Sequence, residues 1–371
     1  MANGYCPNLM EHIGVLAGIN DPSIKITPMG FLSMLKKSQP EIQLTSPMGA
    51  TRNLTVKYRK RSVAALTSTS DNCDLDSRPL YEEQNIATTL FRSFSFMVTD
   101  EDIRRYCEDA QKMIDIRSKG GEAWPTPFMQ EHLMLVLSQI NGLLQAVNQD
   151  LVDAQALTFG KNAVSGLNSA TAVNFNDDST VNLVAEGFTK LLTDYQVNEG
   201  FGTGQIVGGG IIHSLMLQKA ATGMGVSGIN QSILANGFEF HYDPYVATGW
   251  SGANQFGIFT PGSCGLIEAD KFVGGFRGQK GPSYFDNIPL PLAGNLTDGM
   301  NVPSVSFDIQ MRYIDCPTEE TTYQGTQTVN RGWQIILSKN FALWNQPSDA
   351  FYSGDRLTGN NGSLRYTATN S

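Results

Sequence analysis

Residues 127–158 read PFMQEHLMLVLSQINGLLQAVNQDLVDAQALT. Met129, Leu133, Val136, Ile140, Leu143, Val147, Leu151 and Ala154 recur every three or four residues, which places them on one face of a single helix. Thr126 is positioned to cap its start, and Pro127 occupies the first turn, where a missing N–H costs nothing. At about 1.5 Å per residue the stretch from Phe128 to Leu157 spans about 45 Å. Ordinary globular helices run roughly 8–20 residues. Charge pairs flanking the apolar stripe, which would mark one arm of a coiled coil, are absent. The helix is predicted to be a spine along which other elements are laid.

Upstream, residues 1–44 carry Pro7, Pro22, Pro28 and Pro40 and read as an extended arm. One short helical patch interrupts it, around Phe31, Leu32, Met34 and Leu35. Asn53-Leu54-Thr55-Val56-Lys57-Tyr58-Arg59 alternates as a half-buried strand does, and a second β-rich run covers Thr88 to Val98. Residues 62–86 between them are small, polar or acidic and show no periodicity. The pattern predicts a long hairpin with a loose tip. A two-stranded hairpin is marginal without a third strand or a packed surface, and the expected surface is another copy of the chain. Lys57, Arg59, Lys60 and Arg61 on the first strand are candidates for contact with an acidic neighbour. The tip offers one, in Asp71, Asp74, Asp76, Glu82 and Glu83. Phosphate, or a solvated strand edge that discourages aggregation, are the alternatives.

Thr99 is placed to open a helix through Ile103, Cys107, Ala110 and Ile114, closed by Gly120-Gly121. Past Gly160 the pattern predicts a helix over Val181 to Tyr195, a short strand Gln205-Ile206-Val207, and a helix containing Ile212, Leu215, Met216 and Ala220. Strands follow at Phe238 to Tyr242 and Val305 to Tyr313, with a last one through Trp333 and Leu337. This order implies an α+β chain with a central sheet covered by helices. The Asn-, Ser-, Thr- and Gly-rich tail is expected, like the arm, to rest on neighbouring copies.

Composition narrows the function classes. Charged residues are 16% against a usual share of about a quarter, which suits a surface buried against copies of itself. A net charge of −9 argues against general nucleic-acid binding, which needs clustered cations. Cys6, Cys73, Cys107, Cys264 and Cys316 are odd in number and without CxxC spacing, so neither a zinc site nor a disulfide framework is indicated. There is no signal-peptide pattern, and no apolar run approaches the ~20 residues that span a bilayer. His12, His132, His213 and His241 are never paired at ligand spacing. The glycine-rich run from Gly200 to Gly208 fails the dinucleotide fingerprint, since Val207 stands where its third glycine belongs. Walker A and G-x-S-x-G patterns are also missing. No catalytic, cofactor or metal site is expected.

The element order resembles the major capsid proteins of tailed bacteriophages, the Hong Kong ninety-seven type fold. Gly237-Phe-Glu-Phe-His-Tyr-Asp-Pro244, followed by Gln255-Phe-Gly-Ile-Phe-Thr-Pro-Gly-Ser-Cys-Gly-Leu-Ile-Glu268, looks like a stretch of that family's axial domain. The resemblance implies an N-terminal arm over 1–44, an extended loop over 45–98, and a peripheral domain over 99–164 with its spine helix at 127–158. An axial domain over 165–300 and return strands with a C-terminal tail over 301–371 complete it. It implies a non-enzymatic shell subunit forming pentamers and hexamers around double-stranded DNA, assembled in the host cytoplasm and carried in the virion. Portal, scaffolding and decoration proteins would be further partners, and no membrane is involved. Here the arm is short and poor in charge, unlike the cleaved scaffolding segment of many members, which implies a separate scaffolding protein or none. Two alternatives stand beside this reading: an encapsulin-like compartment shell, and a cytosolic α+β enzyme.

Overall fold

The structure is a computed structural model. It describes residues 29–37, 42–43, 53–59, 81–99, 108, 119, 127–162, 166–167, 170–175, 183–198, 200, 202–215, 238–269, 278–280, 283–291, 304–317, 329–347 and 360–369. The spine forms as the spacing demands, as one helix, α2, over Pro127–Ala156. Ile140, Leu143, Val147 and Leu151 of its stripe are buried, joined by Leu144 and Val152.

Two sheets flank the spine where a single central sheet was expected. The first contains β11 (Cys264–Ala269), β12 (Gly278–Lys280), β13 (Ser283–Pro291), β14 (Ser304–Pro317), β15 (Val329–Asn345) and β4 (Leu90–Thr99), all antiparallel. The strand expected through Trp333 and Leu337 is thus far longer than its apolar centre. Its length has a cause: β14 and β11 follow one another along one edge, while β4 lines the other. Leu337 pairs with both Ile309 and Phe94, and Asn340 with both Ala269 and Phe91. The inner face packs Ile309, Ile335, Leu337 and Phe341 against the spine.

The second sheet has the order β7-β16-β10-β8-β9, from Thr171–Asn174, Ser363–Thr369, Gln255–Phe259, Gly204–Gly208 and Phe238–Tyr242. Its core sets Phe188, Leu191 and Tyr195 of helix α3 (Leu183–Val197) against Ile206, Phe238, Phe256, Ile258, Leu364 and Tyr366. The glycine-rich run thereby becomes β8, buried along its whole length. A Cβ at Gly204 would lie 2.7 Å from the Phe238 ring, so glycine serves close packing there.

Several expectations need correction. The C-terminal tail does not wait for a neighbour: β16 lies inside the second sheet, parallel to β7 and antiparallel to β10. The arm's helical patch forms helix α1 over Gly30–Lys37, with Met29, Phe31, Leu32, Met34 and Leu35 buried in the chain's own core. Strand β2 (Asn53–Arg59) pairs not with the 88–98 run but with β3 (Tyr81–Ala87), inside the segment expected to be a loose tip. The 88–98 run supplies β4 instead, which carries on through Thr99, the residue expected to cap a helix. Of the helix expected over 99–117, Glu108 is described and is helical, while its other residues beyond Thr99 fall outside the described residues, as do the arm over 1–28 and residues 216–220 of the helix whose start is helical at 210–215. Strands Gln255–Phe259 and Cys264–Ala269, close in sequence, lie in different sheets.

Candidate intersubunit surface

Strands β2 and β3, with β1 (Ile42–Gln43) beside β2, form a three-stranded sheet apart from the other two. Among the described residues it meets the body at a small apolar cluster, where Val56 and Ile86 pack on Ile267, Ala342 and Trp344. The Trp344 indole N–H donates to Gln84 Oε1 at 3.1 Å, fixing the partner strand at the same place. Beyond that contact the ladder continues through Lys57–Glu83, Tyr58–Glu82 and Arg59–Tyr81.

That register bears on the charged candidates. Lys57 and Glu83 occupy opposite positions of the antiparallel ladder. Glu82 stands opposite Tyr58, and Arg59 opposite Tyr81. The strands thus bring two of the acidic candidates beside the basic strand of the same chain. Lys60, Arg61, Asp71, Asp74 and Asp76 lie outside the described residues.

The ribbon's descending strand runs through Thr88 and Thr89 into β4, whose Phe94 and Phe96 turn toward the core while Phe91, Ser93, Ser95 and Met97 stay exposed. Phe91 is 51% exposed. A bidentate ion pair, Arg92 Nε and a terminal guanidinium nitrogen to Asp150 at 2.6 Å each, ties β4 to the spine where the ribbon departs. Leu157 at the spine's end and Val197 at the end of α3 are 80% and 57% exposed. Asn361 donates to Thr158 O, just past the spine, and Asn360 to Asn198 O, just past α3, so the segment entering β16 is tied to the ends of both helices. Unpaired carbonyls at a helix end need such donors.

Sequence reading passed over the polar groups that hold the body together. Asp243, after β9, accepts from the Phe31 N–H at 2.9 Å, the Asn148 amide at 2.8 Å and the Tyr245 N–H at 3.0 Å. Asn148 also accepts from the Leu32 N–H at 3.0 Å. Burial pushes the Asp243 carboxyl up to about 6, against the three donors that pull it down. Glu268 on β11 holds Lys36 at 2.5 Å and the fully buried Lys339 at 3.3 Å. An Asp before Pro244 and a Glu in an apolar strand carry no local signal of these distant partners.

Of the histidines, His241 is buried against Gln205 Oε1 at 2.6 Å, and His213 stacks on Tyr242 and Phe240. His132 lies on the spine, and His12 falls outside the described residues. Burial pushes the free Cys264 thiol up to about 12, which leaves it a packing residue. Among the described residues no cluster of His, Cys, Asp and Glu could hold a metal ion, and no helix is long and apolar enough to cross a membrane.

No family model and no curated protein matches the chain. Among solved structures it is similar to the capsid asymmetric unit of cyanophage A-1(L), at 12% identity and a TM-score of 0.46, covering 91% of this chain and 92% of that one. The capsid of Ralstonia phage GP4 aligns at 12% identity and a TM-score of 0.44, over 95% and 93% of the two chains. A virus-like particle from Pyrococcus furiosus aligns at 9% identity and a TM-score of 0.38, over 96% and 98%.

Proposed function

We propose that the chain is a major capsid protein of a tailed bacteriophage, with the Hong Kong ninety-seven type fold, whose copies build a closed shell. The observation that carries this reading is the ribbon β2–β3, a separate sheet that, among the described residues, is anchored to its own body at a cluster around Trp344. Of the three segments expected to rest on neighbours, the arm helix and the tail strand are absorbed into the chain's own cores, so the ribbon is left to reach outward. The order of arm, ribbon, spine and two sheets supports the same reading. In this proposal the spine and the long-stranded sheet form the peripheral domain and the five-stranded sheet the axial one. Pentamers and hexamers enclose double-stranded DNA, and the acidic wall touches the genome weakly. Lys57, Arg59 and the basic residues beyond them meet the neighbour alongside Glu82 and Glu83. The shell is assembled in the host cytoplasm, and its action is mechanical: many modest contacts sum to a rigid container.

Deleting residues 62–78 tests this while sparing the ladder between Asn53–Arg59 and Tyr81–Ala87. The variant is expected to give folded, soluble subunits and no particles by negative-stain microscopy, where the full chain gives shells or tubes. Normal shells from the deletion, or a full chain that stays a monomer at high concentration, would overturn the proposal.

A further inference from the structure

Helix α1 belongs to neither sheet, yet it touches both. It packs on β8 and β9 of the second sheet, on β11 of the first, and on the spine. Its start is held from the second sheet's side by Asp243 and from the spine by Asn148. Its end is held from the first sheet by Glu268, through Lys36. Between those anchor points the chain passes from one sheet to the other through the short turn Thr260-Pro261-Gly262-Ser263, where Gly262 adopts a φ of +78°. The helix therefore lies across the junction that this turn makes.

We propose that α1 is a strap: docked across the junction of the two sheets, it can leave as one unit while both sheets stay folded. Three observations support it. The hydrogen bonds from α1 to the rest of the described chain all end on side chains, those of Asp243, Asn148 and Glu268, so release breaks no strand ladder. Eight residues are too few to hold a helix without a surface, so docking and helix formation occur together. The seat is built for this segment, since a Cβ on Gly30 would lie 2.4 Å from the carbonyl oxygen of Tyr242. That oxygen belongs to backbone and cannot step aside. Opposing release are Phe31, Leu32, Met34 and Leu35, all fully buried, which keep the open form scarce. Favouring it is the water regained by Asp243, a buried carboxylate whose partners here are uncharged donors.

Hydrogen exchange on the full-length chain reads this directly, because sub-global openings expose one segment's amides while others stay protected. Amides of residues 33–36 are expected to exchange faster than those of 256–259 and 335–341, with a weaker dependence on added urea. Asn148→Ala, which removes the acceptor for Leu32 and a donor to Asp243, should speed α1 exchange ten-fold or more and leave both strands unchanged. Lys36→Met frees only the far end and leaves Glu268 its contact with Lys339, so about three-fold is expected there. Should Asn148→Ala fail to fold, Lys36→Met and the urea series on the unaltered chain still decide. Exchange of α1 in step with the strands, at every urea concentration and in each folded variant, would overturn the strap. This outcome is independent of whether the protein forms shells.

Discussion

Helix α1 and ribbon β2–β3 look alike in sequence: both are short, locally patterned segments near the N-terminus, with no obvious partner beside them. In the structure they part company. Residues Met29 to Leu35 lie in the main core with their apolar side chains almost wholly buried, whereas the ribbon reaches the body through Val56 and Ile86 on Trp344. The difference lies in pattern density. In GFLSMLKK, Phe31, Leu32, Met34 and Leu35 crowd one short helix, and only a deep apolar seat can cover so many. In NLTVKYR the apolar residues alternate with polar ones and ask for cover on one face only. A dense short segment belongs in a core; a sparse one can stand on a single contact.

Phe31→Ala should separate the two regions most sharply. Phe31 is fully buried and meets the rings of Phe259 and Trp250 at 5.5 and 6.1 Å. Truncating such a side chain costs about 3–5 kcal/mol in transfer and cavity terms. Urea denaturation of the variant should show that loss; less than about 1 kcal/mol would mean that α1 is not part of the core.

Asp243 gives the next largest effect, through pH. Its carboxyl is raised from 3.8 to about 6 in the folded chain, which therefore holds the proton more tightly than the unfolded chain does. The associated stability is fully present below pH 4 and is lost as pH rises toward 6. The shift of about two units corresponds to roughly 3 kcal/mol. Other carboxylates titrate too, so the comparison is with Asp243→Asn measured over the same range. Between pH 4 and pH 6.5 the unaltered chain should lose ground to that variant by about this amount. Parallel stability curves would show that burial does not govern this carboxyl.

The spine, strands Gln205–Val207, Phe238–Tyr242 and Val305–Tyr313, and helix α3 were legible because each carries its own period. What was not legible is pairing across long separations. The run Thr88–Val98 had apolar residues at 94, 96 and 98, and period alone could not say that its partner was β15 rather than β2. Residues 81–87, YEEQNIA, hold few strong strand formers; they extend because β2 supplies a ladder and Trp344 a surface for Gln84 and Ile86. In the tail, Leu364, Tyr366 and Ala368 do alternate, but the polar residues before them hid a central strand. The ribbon was expected to take the 88–98 run as its second strand, and its charged residues were read without the register that sets Lys57 opposite Glu83 and Tyr58 opposite Glu82.

Val56→Ala probes the sparse side of the comparison. Losing two methyl groups from a fully buried site should cost about 2 kcal/mol at most, and the loss should fall on the ribbon. Protease cleavage between residues 60 and 80 is expected to quicken, while the body's thermal midpoint moves by only a few degrees. Equal loss of ribbon and body would show that the two unfold as one unit, and the contrast with α1 would disappear.

The smallest effect sits where the ribbon leaves the body. Arg92 and Asp150 form a bidentate pair at 2.6 Å, a geometry that holds β4 to the spine, and the carboxylate raises the guanidinium's affinity for its proton. Yet the Arg92 side chain is 47% exposed, so water and salt screen most of the attraction. A double-mutant cycle of Arg92→Ala with Asp150→Ala should return a coupling under about 1 kcal/mol that shrinks further in 0.5 M salt. Geometry is then this pair's contribution: it fixes where β4 lies on the spine, and so the direction in which the ribbon sets out, at little thermodynamic consequence. A coupling of several kcal/mol, insensitive to salt, would instead mean that the pair is buried in solution by something that covers β4. Such cover is what a neighbouring subunit would supply, so repeating the cycle on assembled particles and on free subunits distinguishes the two states of this strand.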